Sequence, residues 1–221
     1  MSQVATQINS SRDALSYHGW GLWWRWVVAM TLGELVGFTV PSIVGGVAAG
    51  LKIEGVAFVI CVVIGGMGEG AVLGFAQWLA LRLAVPKIHW REWVLPTTLA
   101  AGVAWIIGMV PGTFVDFEKT DRTILIVGGI LLGILFVLSM GGAQWFALRH
   151  YVPRAWWWIA ANAIAWPVGV MMPFVTLGIV PDDSSVPVMI VAGVIGGVLM
   201  GIVVGAITGA AFVHLTQTKN Q

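Results

Sequence analysis

Apolar residues run through this chain in six long stretches, each separated from the next by a short polar interval. They cover about residues 22–44, 55–80, 93–112, 124–148, 156–178 and 187–213. Each matches the roughly 20 residues a helix needs to cross the hydrocarbon core of a bilayer. A barrel strand would be about 10 residues long and would alternate apolar and polar positions. A continuous apolar run in lipid must satisfy its own backbone, and a helix does so. The pattern predicts an all-α integral membrane fold of six transmembrane helices spanning residues 20–215. A polar tail, 1–19, precedes it and a second, 216–221, follows.

The stretches also echo one another. GFAQWLALR (74–82) returns 67 residues later as GGAQWFALR (141–149). A further step of 67 reaches GAAFVHL (209–215). There Gly209, Ala210 and Leu215 hold the places of Gly142, Ala143 and Leu148, while the glutamine, tryptophan and arginine are gone. The helix openings match as well: WREWVLPTTLAAGVAWIIG (90–108) against WWWIAANAIAWPVG (156–169), with Trp105 and Gly108 over Trp166 and Gly169. LWWRWVVAMTLGELVGF (22–38) is a fainter version. The expectation is three repeated helical hairpins, about 20–82, 90–149 and 156–215. Each goes out through a Trp-opened helix and returns through a Gly-rich one.

Composition supports this reading. Of 221 residues, 58% are hydrophobic and 10% charged, against about 25% charged in soluble domains. The net charge of +1 gives no reason to expect nucleic-acid binding. Arg12, Arg25, Arg82, Lys87, Arg91, Arg149, Arg154 and Lys219 fall on one side of the predicted topology. Lys52, Lys119 and Arg122 fall on the other, with Glu54, Asp116, Glu118, Asp121, Asp182 and Asp183. Basic loops stay cytoplasmic, so both termini are expected there, in a bacterial inner membrane of plasma or thylakoid type. The start of the chain lacks a cleavable signal pattern, so the first membrane helix is expected to direct insertion. Cys61 is the only cysteine, which excludes an internal disulfide.

The repeated QWxxLR segment has a direct physical reading. Arg82 and Arg149 sit where a helix leaves the membrane, and their heads reach water and anionic head groups. Trp78 and Trp145, four residues earlier, are interfacial anchors. Gln77 and Gln144 point elsewhere and are expected to hydrogen-bond a neighbouring helix or to line a shared cytoplasmic-facing cavity. Eleven of the thirteen tryptophans lie near the cytoplasmic ends and read as a one-sided belt: Trp20, Trp23, Trp24, Trp26, Trp78, Trp90, Trp93, Trp145, Trp156, Trp157 and Trp158. Trp105 and Trp166 lie inside spans and are candidates for internal packing or ligand contact.

Glycines mark helix-packing faces: Gly66, Gly70 and Gly74 on the second span, Gly129 and Gly133 on the fourth, and Gly193, Gly197, Gly201, Gly205 and Gly209 on the sixth. Smooth faces let backbones approach closely. The expectation is that the three returning helices pack together with the Trp-opened helices outside, or dock against another protein's helix. Glu34 and Glu69 are acids at membrane depth, costly there and functional candidates for that reason. They read either as neutral hydrogen-bond donors or as proton-relay or ion-binding carboxylates. His18, His89, His150 and His214 all map to the cytoplasmic boundary, and His214 is the one candidate axial ligand for a haem or pigment. The chain shows no phosphate loop, HExxH or serine–histidine–acid grouping. No catalytic residue, metal site or cofactor is therefore expected. The acidic outer segments VDFEKTDR (115–122) and VPDDSSVP (180–187) match no calcium-loop spacing and read as solvated loops.

The QWLALR and QWFALR copies, with Trp-rich helix starts after each, resemble a set of multi-pass membrane proteins of cyanobacteria and other bacteria that has no established activity. The likeness covers about residues 60–170, and it carries over no catalytic residue. The tryptophan content is reminiscent of the translocator-protein group, but six spans and the repeat argue against that. The functional expectation is a non-catalytic membrane scaffold or accessory subunit that contacts lipids, other membrane helices or itself through glycine faces. The alternatives are a small-solute or proton-coupled carrier using Glu34 and Glu69, and a lipid- or pigment-binding protein.

Overall fold

The computed structural model describes residues 19–181 and 183–217. Expectations for residues 1–18, Asp182 and residues 218–221, including Arg12, His18 and Lys219, lie outside the described residues. Those described form seven helices and no strand. The helices are α1 (Trp20–Gly37), α2 (Thr39–Gly50), α3 (Gly55–Leu81), α4 (Trp90–Phe114), α5 (Arg122–Leu148), α6 (Trp157–Gly178) and α7 (Val186–Gln217). α1 and α2 together make one apolar segment, so six segments are long and apolar enough to cross a membrane.

Helix boundaries follow local chemistry. α4 starts three residues earlier than the apolar pattern suggests because His89 and Glu92 form a reciprocal cap. The His89 ring accepts from the Arg91 N–H at 3.3 Å, and Glu92 accepts from the His89 N–H at 3.1 Å. These bonds satisfy donors that a helix start otherwise leaves open. Asp121 caps α5 by accepting from the Thr123 N–H at 2.8 Å. The break between α1 and α2 falls just before Pro41, which has no N–H to give back along the helix. The bend lays α2 across α3 where glycine leaves room: a Cβ on Gly65 would sit 2.8 Å from the Pro41 Cα.

The helices form a closed ring. α1 packs on α3, α3 on α4, α4 on α5, α5 on α6, α6 on α7, and α7 on α1. This corrects the expectation of a central trio of returning helices. Among the described residues, no two of α3, α5 and α7 pack backbone to backbone. The glycines explain the difference, because they are used against the Trp-opened helices. A Cβ on Gly70 would lie 3.0 Å from the Thr97 carbonyl oxygen, and one on Gly74 would lie 3.2 Å from the Val94 Cα. The ring of Trp105 lies against Gly66. On α7, Gly201, Gly205 and Gly209 receive Thr31, Val27 and the rings of Trp23 and Trp26 from α1. Gly129, Gly133, Gly193 and Gly197 face open space, so their place in a packing face is not realised within the chain. The far half of α5, from Ile124 to Leu138, is largely exposed.

One end of the ring, the near end, holds Gly19, Gln217 and the loops after α3 and α5. The Tyr151 hydroxyl donates to Glu92 at 2.6 Å and ties the second loop to the start of α4. That bond to a carboxylate holds the Tyr151 phenol above its ordinary value. The two loops share one backbone pattern. Arg82, Leu83, Ala84 and Val85 donate to Trp78, Ala80, Leu81 and Leu81. Arg149, His150, Tyr151 and Val152 donate to Trp145, Ala147, Leu148 and Leu148.

Candidate functional site

Near this end the middle of the ring is filled by three indoles, one from each Trp-opened helix. Trp26, Trp93 and Trp158 meet edge to face, with ring centres 6.3, 5.4 and 5.8 Å apart. Phe212 closes the fourth side, 4.9 Å from Trp26. Each indole N–H, buried in carbon, needs an acceptor. Trp93 donates to Gln77 at 2.9 Å, Trp158 to Gln144 at 3.0 Å and Trp26 to the Thr208 hydroxyl at 2.9 Å. The amide of Gln144 donates to Gln77 at 2.9 Å and to Thr97 at 3.0 Å. The amide of Gln77 donates to the Met30 sulfur at 2.8 Å. Gln77 and Gln144 therefore hydrogen-bond across the ring, and they are fully buried in a packed layer with no cavity between them. Leu81, Leu148 and Leu215, spaced 67 residues apart, are buried with this layer.

Three tryptophans assigned to the surface belt thus belong to the core. Trp26, Trp93 and Trp158 are at most 1% exposed, whereas Trp20, Trp24, Trp90, Trp156 and Trp157 are exposed. Helical direction sorts them, because Trp23, Trp24 and Trp26 point different ways from one backbone. The 67-residue step from Trp26 to Trp93 carried that signal in the sequence. Trp158 comes 65 residues after Trp93 and falls out of that step. Thr208 was missed because it lies one turn before Ala211, where the repeat points. The QWxxLR anchors stack as i, i+4 pairs: the Arg82 guanidinium lies 4.9 Å from the Trp78 ring, and that of Arg149 lies 5.0 Å from Trp145. Trp78 also donates to the Ile88 carbonyl at 3.1 Å.

In the far half the ring opens into a cavity of about 460 Å³. Its wall draws on all six apolar segments, including Phe38, Trp105, Phe136, Trp166 and Met200. Glu69 is the one ionisable side chain lining it among the described residues. Both interior tryptophans, Trp105 and Trp166, reach this wall but use their N–H groups differently. Trp105 donates to the Glu69 carboxyl at 2.7 Å, and Trp166 to Asn162 at 3.0 Å. They also differ in depth: Trp105 follows Trp93 by twelve residues, and Trp166 follows Trp158 by eight.

Behind Glu69 lies Glu34. Gly37 brings α1 onto α3 here, where a Cβ would sit 3.1 Å from the Glu69 carbonyl oxygen and 3.3 Å from its Cγ. Gly201 of α7 presses from the other side, where a Cβ would sit 3.5 Å from the Glu34 Cβ. The Glu34 carboxyl is 1% exposed and faces that of Glu69. Neither Glu34 oxygen closes a hydrogen bond of normal geometry. No other pair of acids is buried among the described residues.

His214 stands at an exposed position of α7 and does not line the cavity. In the loop between α4 and α5 Lys119 sits 2.7 Å from Asp116 and holds that carboxyl below its ordinary value. No cluster of three metal-ligating side chains occurs among the described residues. No protein-family model, curated protein or solved structure matches this chain.

Proposed function

We propose that this chain is a multi-pass protein of a bacterial inner membrane, built as three helical hairpins with the near end in the cytoplasm. Its role is to bind a membrane-soluble molecule in the far-half cavity. The observation that carries this reading is the cavity itself, apolar, walled by all six segments and furnished with one buried carboxyl. Its volume falls among small-molecule sites, which run from about 300 to 1,000 Å³ and combine apolar walls with few polar groups. The matching loops after α3 and α5 and the three equivalent indoles support the hairpin repeat. The scaffold reading is weakened, because six of the ten glycines expected to dock partners are occupied inside the ring. Three buried indoles in mutual contact occupy the middle of the near end, which favours a binding role over a carrier.

The test is native mass spectrometry of protein released from its own membrane in mild detergent. A bound lipid-class or pigment-class mass is expected on the wild type. It should be lost in Ala104→Phe, which fills the cavity from α4. A wild type that carries partner chains and no small molecule would favour the scaffold and overturn the binding role.

A further inference from the structure

We infer that the molecule this cavity takes is a hydrophobic cation, an organic ammonium with an apolar body, and that its entry displaces a proton held between Glu34 and Glu69. The inference rests on the cavity being a binding site. Four observations lead to it.

First, among the described residues the carboxyl pair has no counter-charge. The elements packed around it are α1, α2, α3, α4 and α7. Their charged or titratable residues apart from the pair are Arg25, Cys61, Arg91, Glu92 and His214. Arg25, Arg91, Glu92 and His214 lie in the two turns nearest the near end, and Cys61 is two turns away from Glu69 along α3. Second, the pair is starved of donors. Glu69 has the Trp105 N–H, and Glu34 has no neighbour for its oxygens but the carboxyl of Glu69. A buried ionised carboxylate requires a paired charge or several hydrogen bonds. Neutralisation must therefore come from outside the chain, as protons or as a bound cation.

Third, space for a cation exists on one side of the pair. Glu69 lines the cavity, while Glu34 is sealed behind it by α1 and α7. Fourth, the remaining wall selects the kind of cation. A bare metal ion needs six or so oxygen ligands, and here the single carboxyl of Glu69 faces a wall of carbon. Trp105, Trp166 and Phe136 line it, and aromatic rings attract an organic cation. The apolar body occupies the cavity and the ammonium rests at Glu69. The exchange balances in charge: one cation enters and one proton leaves the pair for water.

The test uses the full-length protein in phosphatidylcholine nanodiscs, with empty nanodiscs as background. The probes are dodecyltrimethylammonium, whose charge is fixed, and dodecanol, its neutral counterpart. Wild-type protein should bind the cation about tenfold or more tightly than the alcohol. It should release about one proton per cation bound, read with a pH dye in weak buffer. Glu69→Gln keeps an acceptor for Trp105 and should retain dodecanol while weakening cation binding by about thirtyfold or more. Equal affinity for the two probes, no proton release, or an indifferent Glu69→Gln would each overturn the inference and leave the cavity reading standing. Failure of both probes to bind the wild type would overturn both. Should Glu69→Gln not fold, the probe preference and proton count of the wild type decide the matter.

Discussion

At Gln144 a single side chain joins three helices. Its carbonyl accepts from Trp158 on α6, and its amide reaches Gln77 on α3 and Thr97 on α4. Gln144→Leu keeps the size and removes all three bonds. Gln77 retains Trp93 as a donor and Thr97 retains its own bond to the Trp93 carbonyl at 2.8 Å. The Trp158 N–H is then left buried without an acceptor. The expected loss is about 1–2 kcal/mol, small for three bonds because helices separated in lipid find other partners. Unfolding in sodium dodecyl sulfate, followed by tryptophan fluorescence, measures it. Trp145→Phe, on the half-exposed side of the same turn, should cost well under half as much, and equal losses would refute the inward role of Gln144. This division was legible in QW itself, since consecutive helical residues point about 100° apart. What the sequence did not reveal was the identity of the partner, because an indole donor at a distant position leaves no mark beside the glutamine.

Glycine spacing told which helix faces are smooth but not what covers them. Stripes on α3 and α7 were readable at four-residue intervals, yet spacing is equally compatible with a partner on either flank or in another protein. The structure assigns them to α4 and α1, whose tryptophans and threonines need the room. A contrast within one residue type follows. In Gly70→Ala the new methyl would press on Thr97, Thr98 and Ala101, and the expected cost is about 1–3 kcal/mol. Gly133→Ala meets nothing within 4 Å and should be neutral, or stabilising by up to about 1 kcal/mol through helix propensity. The same unfolding assay separates the two, and similar losses would mean that the exposed face of α5 is covered in the membrane by another helix. Element boundaries were legible to within a few residues except in the first segment. There Pro41 marked a break, but the direction of the bend depends on Gly65 and Gly68 of another helix.

On the scale of the whole molecule, the near end is basic and closed, and the far end is acidic and hollow. Arg25, Arg82, Arg91, Arg149 and Arg154 lie in the helix ends and loops of the near end. At the far end Lys119 is paired with Asp116, so little positive charge is left unopposed there. A cell sorts loops by such asymmetry, and the ring topology requires that the loops after α3 and α5 share a side. Both statements can be tested in one background, Cys61→Ala, with single cysteines at Lys87, Arg154, Glu118 and Ala104. A membrane-impermeant maleimide should label Glu118→Cys in intact spheroplasts, and Lys87→Cys and Arg154→Cys only in inside-out vesicles. Ala104→Cys adds a point about the interior. It lines the cavity on the far side of Trp26, Trp93 and Trp158, whose rings are buried against one another, so reagent on the cytoplasmic side should not reach it. Labels that place Lys87 and Arg154 on opposite faces would break the hairpin arrangement itself. Cytoplasmic labelling of Ala104→Cys would leave the hairpins intact and show instead that the indole layer opens. Such opening would restore the carrier reading, with the carboxyl pair exposed in turn to each side.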